Sequence, residues 1–375
     1  MIGAAGAFGG CHMFDAPASH ARGRVAWYVS GAGGGTPAFD GTTVFFIEQD
    51  HSVAALDAAT GQPRWRSTTG TIGAPPGWAG CQPAGELVAC GDSGIVAFRR
   101  ADGALAWRFD VAHEQPGLYR FQVNNGVIFA GSFGHGTVYA IDAGTGAARW
   151  TAPVLAADPS NVNIPKLATD GDIVVGIFSR GTKPLTGGVV ALDAATGALR
   201  WVTNFPTGGP DSTSFGVSVA LWASSVLASS SDGRIYELDR TTGSVKSFFP
   251  GVGQRANVVG VTGPVGEDFR PIAIANSTLF AASTGSWLIA YSLAAHRELW
   301  RVVDPDGSSN GSAIIVDGDR VYSVDFNGRL AAFSATEPKF LWDVGDFQNA
   351  FVASPAVGPD KIFVAGLTGF WAIDK

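Results

Sequence analysis

The stretch VALDAATGALRW (residues 190–201) predicts a local structure, and its repetition predicts the fold of the whole chain. Apolar residues alternate before Asp193, within the GGVVALD of residues 187–193, and this pattern predicts a strand. An aspartate side chain can bond the backbone two residues further on, and Gly197 can adopt a positive φ, so a turn follows. A second strand then carries Trp201, and the small Ala191 and Gly197 leave a slot for its indole ring.

The spacing Ala-x-Asp-x-x-x-Gly-x-x-x-Trp recurs along the chain. Its seven copies, three of them complete, begin at Ala55, Ala97, Ala140, Ala191, Glu237, Ala290 and Ala332. Two of the weaker copies carry Ser247 in place of the tryptophan and His296 in place of the glycine. Seven of the eleven tryptophans occupy the motif position once Trp27 is included, which predicts a repeated docking role for Trp27, Trp65, Trp107, Trp150, Trp201, Trp300 and Trp342.

Each copy of the motif is preceded by another pair of strands joined by a polar turn. Examples are TPAFDGTTVFFI (residues 36–47) and SAIIVDGDRVYSV (residues 312–324). Each unit of about 40–50 residues therefore holds four antiparallel strands, which is typical of one blade of a β-propeller. The sequence predicts an all-β fold.

The C-terminal stretch FWAIDK (residues 370–375) contains only the first half of the motif, Ala372 and Asp374. Gly23 and Trp27 have the spacing of the missing second half. Seven full copies and one split copy predict eight blades, with the first and last strands paired in one sheet that closes the ring. We expect a single propeller domain over residues 21–375, preceded by a flexible tail or a remnant of a lipoprotein signal at residues 1–20.

The composition excludes several classes of protein. Hydrophobic residues make up 46% of the chain and charged residues 15%, which argues against disorder over most of its length. The net charge of −7 argues against nucleic acid as a partner, because phosphate binding requires basic patches. The sequence contains no run of 18 consecutive apolar residues, so it predicts no transmembrane helix.

The motif copies AALDAATGQPRW, YAIDAGTGAARW and VALDAATGALRW resemble the tryptophan-docking repeats of the pyrroloquinoline-quinone (PQQ) repeat propellers. That superfamily includes the eight-bladed quinoprotein alcohol dehydrogenases and the outer-membrane assembly lipoprotein BamB. This chain is similar to BamB in size and in having blades without long insertions. The resemblance covers residues 23–375. It indicates the fold more strongly than the function, because the repeat is a packing device.

In propellers, binding usually occurs on the face formed by loops between blades and between the second and third strands of a blade. We expect most of these loop charges to be solvated surface charges, with convergence of several of them on the central channel as the alternative. These candidates are Asp50, His51, Glu114, Arg120, His135, Arg180, Lys183, Asp211, Arg255, Glu267, Asp268, Arg270, Asp304, Asp306 and Asp325.

The resemblance also implies a test for quinone-dependent catalysis. Quinoprotein dehydrogenases carry a vicinal cysteine pair, Ca²⁺ ligands and an aspartate base. This chain has no adjacent cysteines, and its DPDGSSNG (residues 304–311) lacks the closing glutamate of an EF-hand and predicts a turn. We therefore expect no catalytic residues, no metal and no cofactor. The alternative is a PQQ-dependent dehydrogenase whose cofactor site has fewer of the usual residues.

The three cysteines fall in two places. Counting residues through a simple hairpin at QPAGE (residues 82–86) sets Cys81 and Cys90 out of register, so we expect two buried thiols, with a disulfide as the alternative. Cys11 follows the small apolar MIGAAGAFGG (residues 1–10), as in a bacterial lipoprotein signal, although Phe8 and the missing basic residues depart from that pattern. Cys11 is therefore a candidate for lipidation, with a merely flexible tail as the alternative.

Together these features predict a non-enzymatic, extracytoplasmic scaffold that binds a protein partner. A BamB-like component of outer-membrane assembly, in the periplasm or anchored by lipid, is the most defined version. An accessory or sensor subunit of a larger complex is a further alternative.

Overall fold

The computed structural model describes residues 21–31, 35–67, 79–91, 93–111, 117–118, 120–154, 162–180, 186–205, 218–230, 234–249, 269–283, 287–305, 311–325, 328–345, 354–366 and 369–375. Within these ranges 32 strands form eight four-stranded antiparallel sheets, and no helix occurs. The predicted eight-bladed β-propeller is confirmed.

The blades follow one another in chain order. Blade 1 comprises β2 (Ala38–Phe39), β3 (Thr43–Ile47), β4 (Val53–Asp57) and β5 (Pro63–Arg66); blade 2 comprises β6 (Cys81–Ala84), β7 (Leu87–Gly91), β8 (Ile95–Arg99) and β9 (Leu105–Phe109). Blade 3 comprises β10 (Phe121–Asn124), β11 (Val127–Gly131), β12 (Thr137–Asp142) and β13 (Ala148–Pro153); blade 4 comprises β14 (Val162–Thr169), β15 (Ile173–Arg180), β16 (Thr186–Asp193) and β17 (Leu199–Phe205).

The second half of the ring repeats this arrangement. Blade 5 comprises β18 (Val219–Trp222), β19 (Ser225–Ser229), β20 (Ile235–Asp239) and β21 (Val245–Phe249); blade 6 comprises β22 (Phe269–Ala275), β23 (Thr278–Ser283), β24 (Trp287–Ser292) and β25 (Arg297–Val303). Blade 7 comprises β26 (Gly311–Asp317), β27 (Arg320–Asp325), β28 (Leu330–Ser334) and β29 (Phe340–Val344); blade 8 comprises β30 (Ala356–Val357), β31 (Lys361–Ala365), β32 (Gly369–Asp374) and β1 (Val25–Ser30).

Blade 8 joins the two ends of the chain. Strand β1 pairs antiparallel with β32, so that Trp27 lies opposite Ala372 and Tyr28 opposite Trp371. The same pairing of motif tryptophan and motif alanine occurs in blade 4, where Trp201 lies opposite Ala191. The predicted closure by terminal strands is confirmed. Because β1 and β32 pair with each other, their facing edges are hydrogen-bonded rather than exposed.

The core is divided among the seams between blades. In the seam between blades 3 and 4, for example, Phe129 and Val138 pack with Val174 and Val190. In the closing seam, Phe370 of blade 8 stacks on Phe46 of blade 1 with ring centroids 4.3 Å apart. The described residues form eight such clusters, one for each seam, so apolar burial is continuous around the ring.

The motif turn has the same hydrogen bonds wherever the motif is complete. The Asp193 carboxylate accepts hydrogen bonds from the backbone N–H groups of Ala195 and Thr196 and from the Thr196 hydroxyl, and Arg200 donates to its second oxygen at 2.8 Å. These donors lower the pKa of Asp193 to about 2, with the Arg200 guanidinium as the main cause. Asp57 and Asp142 lie in equivalent turns, and their pKa values are also about 2.

The motif tryptophan docks on the next blade. Trp150 of blade 3 donates from Nε1 to the backbone carbonyl of Ala194 in blade 4 at 3.0 Å. Its ring lies over Gly197, where φ is +73° and an added Cβ would come within 2.7 Å of the indole. Trp27, Trp65, Trp107 and Trp201 make the same two contacts with the blade that follows each of them. The glycine is required both for its backbone conformation and for the approach of the ring.

Candidate functional site: the central channel

The first strands of the blades surround the axis of the ring. Strands β2, β6, β10, β14, β18, β22 and β26 contact one another in sequence, and β2 also contacts β30. They enclose a cavity of about 310 Å³ that is lined from every blade. One lining residue from each blade, in order, is Thr36, Cys81, Arg120, Lys166, Ser218, Ile272, Ala313 and Ser354.

Lys166 places an ammonium group in this cavity from β14. Its Nζ donates a hydrogen bond to the Ser218 hydroxyl at 3.1 Å, and no carboxylate among the described residues lies within ion-pair distance of it. Burial among the channel strands, with a contribution from the positive charge of Arg120, lowers the pKa of Lys166 to about 7. The charge of Lys166 is therefore easily gained or lost near neutral pH.

Arg120 lines the same cavity from blade 3, immediately before β10. Burial lowers its pKa from the usual value of a guanidinium, and an arginine remains charged at neutral pH in spite of such a shift. Two cationic side chains from neighbouring blades thus share one cavity in a chain whose net charge is −7.

The other part of the wall is apolar. Leu167 follows Lys166 on β14, and Val219, the first residue of β18, follows Ser218. Ile272, Ala313 and Ile314 line the cavity from blades 6 and 7. The channel therefore combines a cationic side with an aliphatic side.

The sequence-predicted loop charges have different positions. Arg120 lines the channel, which agrees with the alternative of convergence on the channel rather than with a solvated surface position. Asp50 instead pairs with Arg66 and accepts a hydrogen bond from Ser52, and Asp304 accepts two hydrogen bonds from Arg329 at 2.6 and 2.7 Å. Asp325 is buried and accepts from the backbone N–H of Arg329 at 3.0 Å. These three carboxylates have structural partners away from the cavity lining.

His51 lies in a turn with a φ of +68°, His135 forms an isolated parallel bridge with Val162, and Arg180 ends β15. The remaining candidates lie outside the described residues, as does Cys11, or have no described side chain: Glu114, Lys183, Asp211, Arg255, Glu267, Asp268, Arg270 and Asp306.

Sequence reasoning missed Lys166. The only indication in NIPKLAT (residues 163–169) is a lysine within an apolar strand, and the sequence does not show that this strand borders the channel.

The prediction of two buried thiols at Cys81 and Cys90 was wrong. The two residues lie directly opposite each other on β6 and β7, with Cα atoms 4.1 Å apart, and form a disulfide bond. The hairpin turns at Gly85 and Glu86, with Ala84 paired to Leu87, so the register differs from the predicted one. Because Cys81 lines the cavity, this disulfide lies in the channel wall of blade 2.

A second polar cluster lies in the seam between blades 5 and 6. The buried Glu237 accepts hydrogen bonds from Ser225 at 2.6 Å and from Ser247 at 2.9 Å, and its Oε2 lies 3.5 Å from Nδ1 of His296. Serine, histidine and glutamate also form catalytic triads, but here the Ser247 hydroxyl donates its hydrogen to the carboxylate rather than to the histidine. The hydrogen bonds of this cluster are therefore those of a structural contact that replaces the docking of a tryptophan on a glycine.

Among the described residues, no group of three or more histidine, cysteine or acidic side chains could hold a metal ion. The described part of the chain also contains no helix that is long and apolar enough to cross a membrane.

Comparison with known proteins identifies the relatives of this chain. The family described as "Outer membrane protein assembly factor BamB" matches residues 12–246 and 251–374. A BamB of Yersinia pestis is 23% identical over 343 residues, covering 89% of this chain and 72% of the relative. BamB from Moraxella catarrhalis has a similar crystal structure, with a TM-score of 0.64 and 14% identity over 94% of this chain and 97% of that chain.

Quinohemoprotein alcohol dehydrogenase from Comamonas testosteroni is similar in structure as well. Its TM-score is 0.69 at 16% identity, covering 94% of this chain and 76% of that chain. At such low identity the two solved structures show a shared fold and not a shared activity.

Proposed function

This chain belongs to the BamB family of outer membrane protein assembly factors, and we propose that it is a non-enzymatic scaffold that presents the loops of its propeller to a protein partner outside the cytoplasm. The observation that carries this proposal is the match of the family to residues 12–246 and 251–374, which include all eight blades. The partner would be a component of the machinery that assembles outer-membrane proteins.

The Cys81–Cys90 disulfide supports the proposed location. Disulfides persist in oxidising compartments such as the periplasm and are rare in reducing cytosol. A structural disulfide in the channel wall is therefore consistent with a propeller that folds after export.

Affinity isolation from native membranes tests the partner. The full chain, tagged at its C-terminus, should retain one or more outer-membrane assembly proteins at constant stoichiometry after washing with salt. A variant with the exposed pair Lys339 and Glu337 replaced by alanine, on the turn between β28 and β29, is a control for nonspecific charge effects. Recovery of the chain alone from membranes that contain the assembly machinery would contradict the proposal.

A lipid anchor at Cys11 is a separate part of the proposal. Mass spectrometry of the native protein should find a lipid on the Cys11 side chain, and Cys11→Ser should move the protein from the membrane fraction to the soluble extracytoplasmic fraction. An unmodified Cys11 and an unchanged distribution would remove the anchor from the proposal and leave the scaffold role untouched.

Quinone-dependent catalysis is not supported by the residues present. The chain has no adjacent cysteines, and its described residues offer no cluster of Ca²⁺ ligands, so they do not fit a calcium–quinone centre. We expect PQQ to show no Ca²⁺-dependent stoichiometric binding when its absorbance is recorded during titration. Such binding would contradict the non-enzymatic proposal.

A further inference from the structure

Among the described lysines, Lys166 differs from the others. It lines the central channel on β14 and has no carboxylate within ion-pair distance among the described residues. The other described lysines each lie within ion-pair distance of a carboxylate: Lys246, Lys339, Lys361 and Lys375. The scaffold role does not use this amine. We propose that Lys166 is a covalent capture site for small aliphatic aldehydes, which it binds as imines inside the channel.

The Lys166 amine is positioned in the channel by a hydrogen bond. Its Nζ donates to the hydroxyl oxygen of Ser218, in the neighbouring blade, at 3.1 Å. The backbone of Ser218 is fixed in turn, because its N–H donates to the Ser229 hydroxyl at 2.7 Å. The Lys166 side chain is half-buried rather than enclosed, so a small molecule in the cavity can approach the nitrogen.

The protonation state of Lys166 favours nucleophilic attack. Imine formation requires the neutral amine, because only a free lone pair attacks a carbonyl carbon. Burial among the channel strands is the main cause that lowers the pKa of Lys166 to about 7, and the positive charge of Arg120 is a second cause. At pH 7 about half of the Lys166 amines are therefore neutral, compared with about one in 2,500 for an ordinary lysine of pKa ~10.4.

The other ionisable groups of the cavity do not titrate near neutral pH. Among the described residues of the lining, Arg120 is the only other ionisable side chain, because Cys81 is held in the disulfide. An arginine stays charged in this range, and the reaction requires no contact between Arg120 and the aldehyde. A pH dependence of the reaction near 7 therefore reports on Lys166.

The proposed reaction is a condensation that balances without an oxidant or a reductant. The nitrogen lone pair of Lys166 attacks the carbonyl carbon, and the resulting carbinolamine loses its hydroxyl group together with a proton from the nitrogen. A C=N bond replaces the C=O bond, and one water molecule is released. The Ser218 hydroxyl lies next to the nitrogen and is placed to transfer a proton during the loss of water.

The cavity favours an aldehyde with a short chain. Its volume of about 310 Å³ is at the lower end of the range for small-molecule sites. Leu167, Ile272 and Ile314 give this cavity an apolar wall. An aldehyde of a few carbon atoms can react at Lys166 and bury its chain against this wall, whereas formaldehyde has no chain to bury.

Competitive labelling within one protein molecule tests the proposal. The full chain is treated with pentanal at pH 7, the imines are trapped with cyanoborohydride, and peptide mass spectrometry measures the adduct at each lysine. We expect Lys166 to be labelled about 10- to 100-fold faster than the exposed Lys339. Its neutral fraction is roughly 1,000-fold larger than that of an ordinary lysine, and its lower basicity removes part of this advantage, as it does for thiols. Labelling of Lys166 no faster than of Lys339 would overturn the proposal.

The pH dependence separates capture by a neutral amine from simple accessibility, and it needs no variant. The ratio of the labelling rates of Lys166 and Lys339 should be constant below pH 7 and fall toward about one by pH 9, because Lys166 is then already neutral while an ordinary lysine still gains neutral amine. In urea the ratio should approach one at every pH. A ratio that does not change with pH in the folded protein would contradict capture through a neutral amine.

Two variants of Ser218 test the environment of the nitrogen. Ser218→Asp places a carboxylate beside Nζ and should hold the amine protonated, so the faster labelling of Lys166 at pH 7 should be lost. Ser218→Asn has nearly the same volume without the charge and is the matched comparison, in which Lys166 should remain the faster-labelled residue. Equal loss in both variants, or no loss in Ser218→Asp, would contradict the proposal. A rate ratio for formaldehyde as large as that for pentanal would overturn the role of the apolar wall.

Discussion

The seam between blades 3 and 4 and the seam between blades 5 and 6 meet the same packing requirement with different chemistry. In the first, Trp150 lies over Gly197 and donates to the carbonyl of Ala194. In the second, Ser247 occupies the tryptophan position of the motif, and His296 occupies the glycine position in the following blade. We refer to them as the indole seam and the polar seam.

The replacements in the polar seam are coupled. Glu237 pairs across the strands with Ser247 as alanine pairs with tryptophan elsewhere, and its carboxylate reaches both Ser247 and His296. His296 retains a positive φ of +50° and stacks on Phe249 at a centroid distance of 5.6 Å. The backbone of the motif is thus conserved between the seams, while the large group has moved from one blade to the other. Each seam therefore has side chains on its two sides that fit each other, an indole over a glycine in one and a serine with a histidine in the other.

Loss of an indole should have the largest effect. Trp150→Ala removes the ring from the indole seam and leaves a cavity, so we expect the free energy of unfolding to fall by about 3–5 kcal/mol in urea denaturation. Ser247→Ala, at the same position of the polar seam, is the control and should cost about 1 kcal/mol. Equal losses at the two positions would show that the seams do not differ in the way proposed.

A pair of glycines separates backbone strain from contact with the ring. Gly197 and Gly126 both have a φ of +73°, but a Cβ at Gly126 would meet nothing within 4 Å. Gly126→Ala should cost about 1 kcal/mol from the backbone alone, and Gly197→Ala about 2–4 kcal/mol, because its methyl group collides with Trp150. Thermal melting of both variants measures the difference, and identical melting temperatures would contradict a tight indole contact.

Removing the carboxylate should destabilise the polar seam. Glu237→Ala leaves the buried Ser225 and the half-buried Ser247 without their acceptor, so we expect a loss of about 1–3 kcal/mol in urea denaturation. The exposed Glu337 provides a control, since Glu337→Ala should change stability by less than about 0.5 kcal/mol. If Glu237→Ala left the free energy of unfolding unchanged, the polar cluster would contribute little to packing.

Exchange of the two chemistries tests the coupling directly. Ser247→Trp alone should destabilise by about 1–3 kcal/mol, because His296 already occupies the place of the docking glycine. Adding Glu237→Ala and His296→Gly should recover most of that loss by rebuilding an indole seam. Additive effects in the triple variant would argue against coupling between the blades.

The smallest effect concerns the motif turns at acid pH. Asp193 has a pKa of about 2 in the folded protein, below its value in the unfolded chain, so its contribution is present above about pH 4 and is lost as the pH falls toward 2. Asp193→Asn should therefore flatten the decrease of the melting temperature between about pH 4 and 2. Ser292→Asn, at the equivalent position of blade 6, is the control and should leave the profile unchanged. A parallel shift of the whole profile in Asp193→Asn would contradict this assignment.

The sequence predicted the strand pairs, the number of blades and the closure of the ring because each of these depends on a motif that is local and repeated. It did not predict the disulfide. The register of β6 and β7 is set by a two-residue turn at Gly85 and Glu86, and the sequence analysis placed the turn elsewhere in the hairpin. It also did not identify Lys166, because a lysine in an apolar strand gives no sign of facing the channel.

The sequence by itself determined how the chain is divided into blades, and it showed that Trp27 belongs with Ala372 in the last one. Only the tertiary structure decided which side chains meet across the seams and around the axis. Trp150 and Gly197, Ser247 and His296, or Arg120 and Lys166 are each separated by more than 40 residues. Hydrogen bonding between neighbouring strands follows from local sequence, whereas contacts between blades depend on how whole sheets pack around the ring.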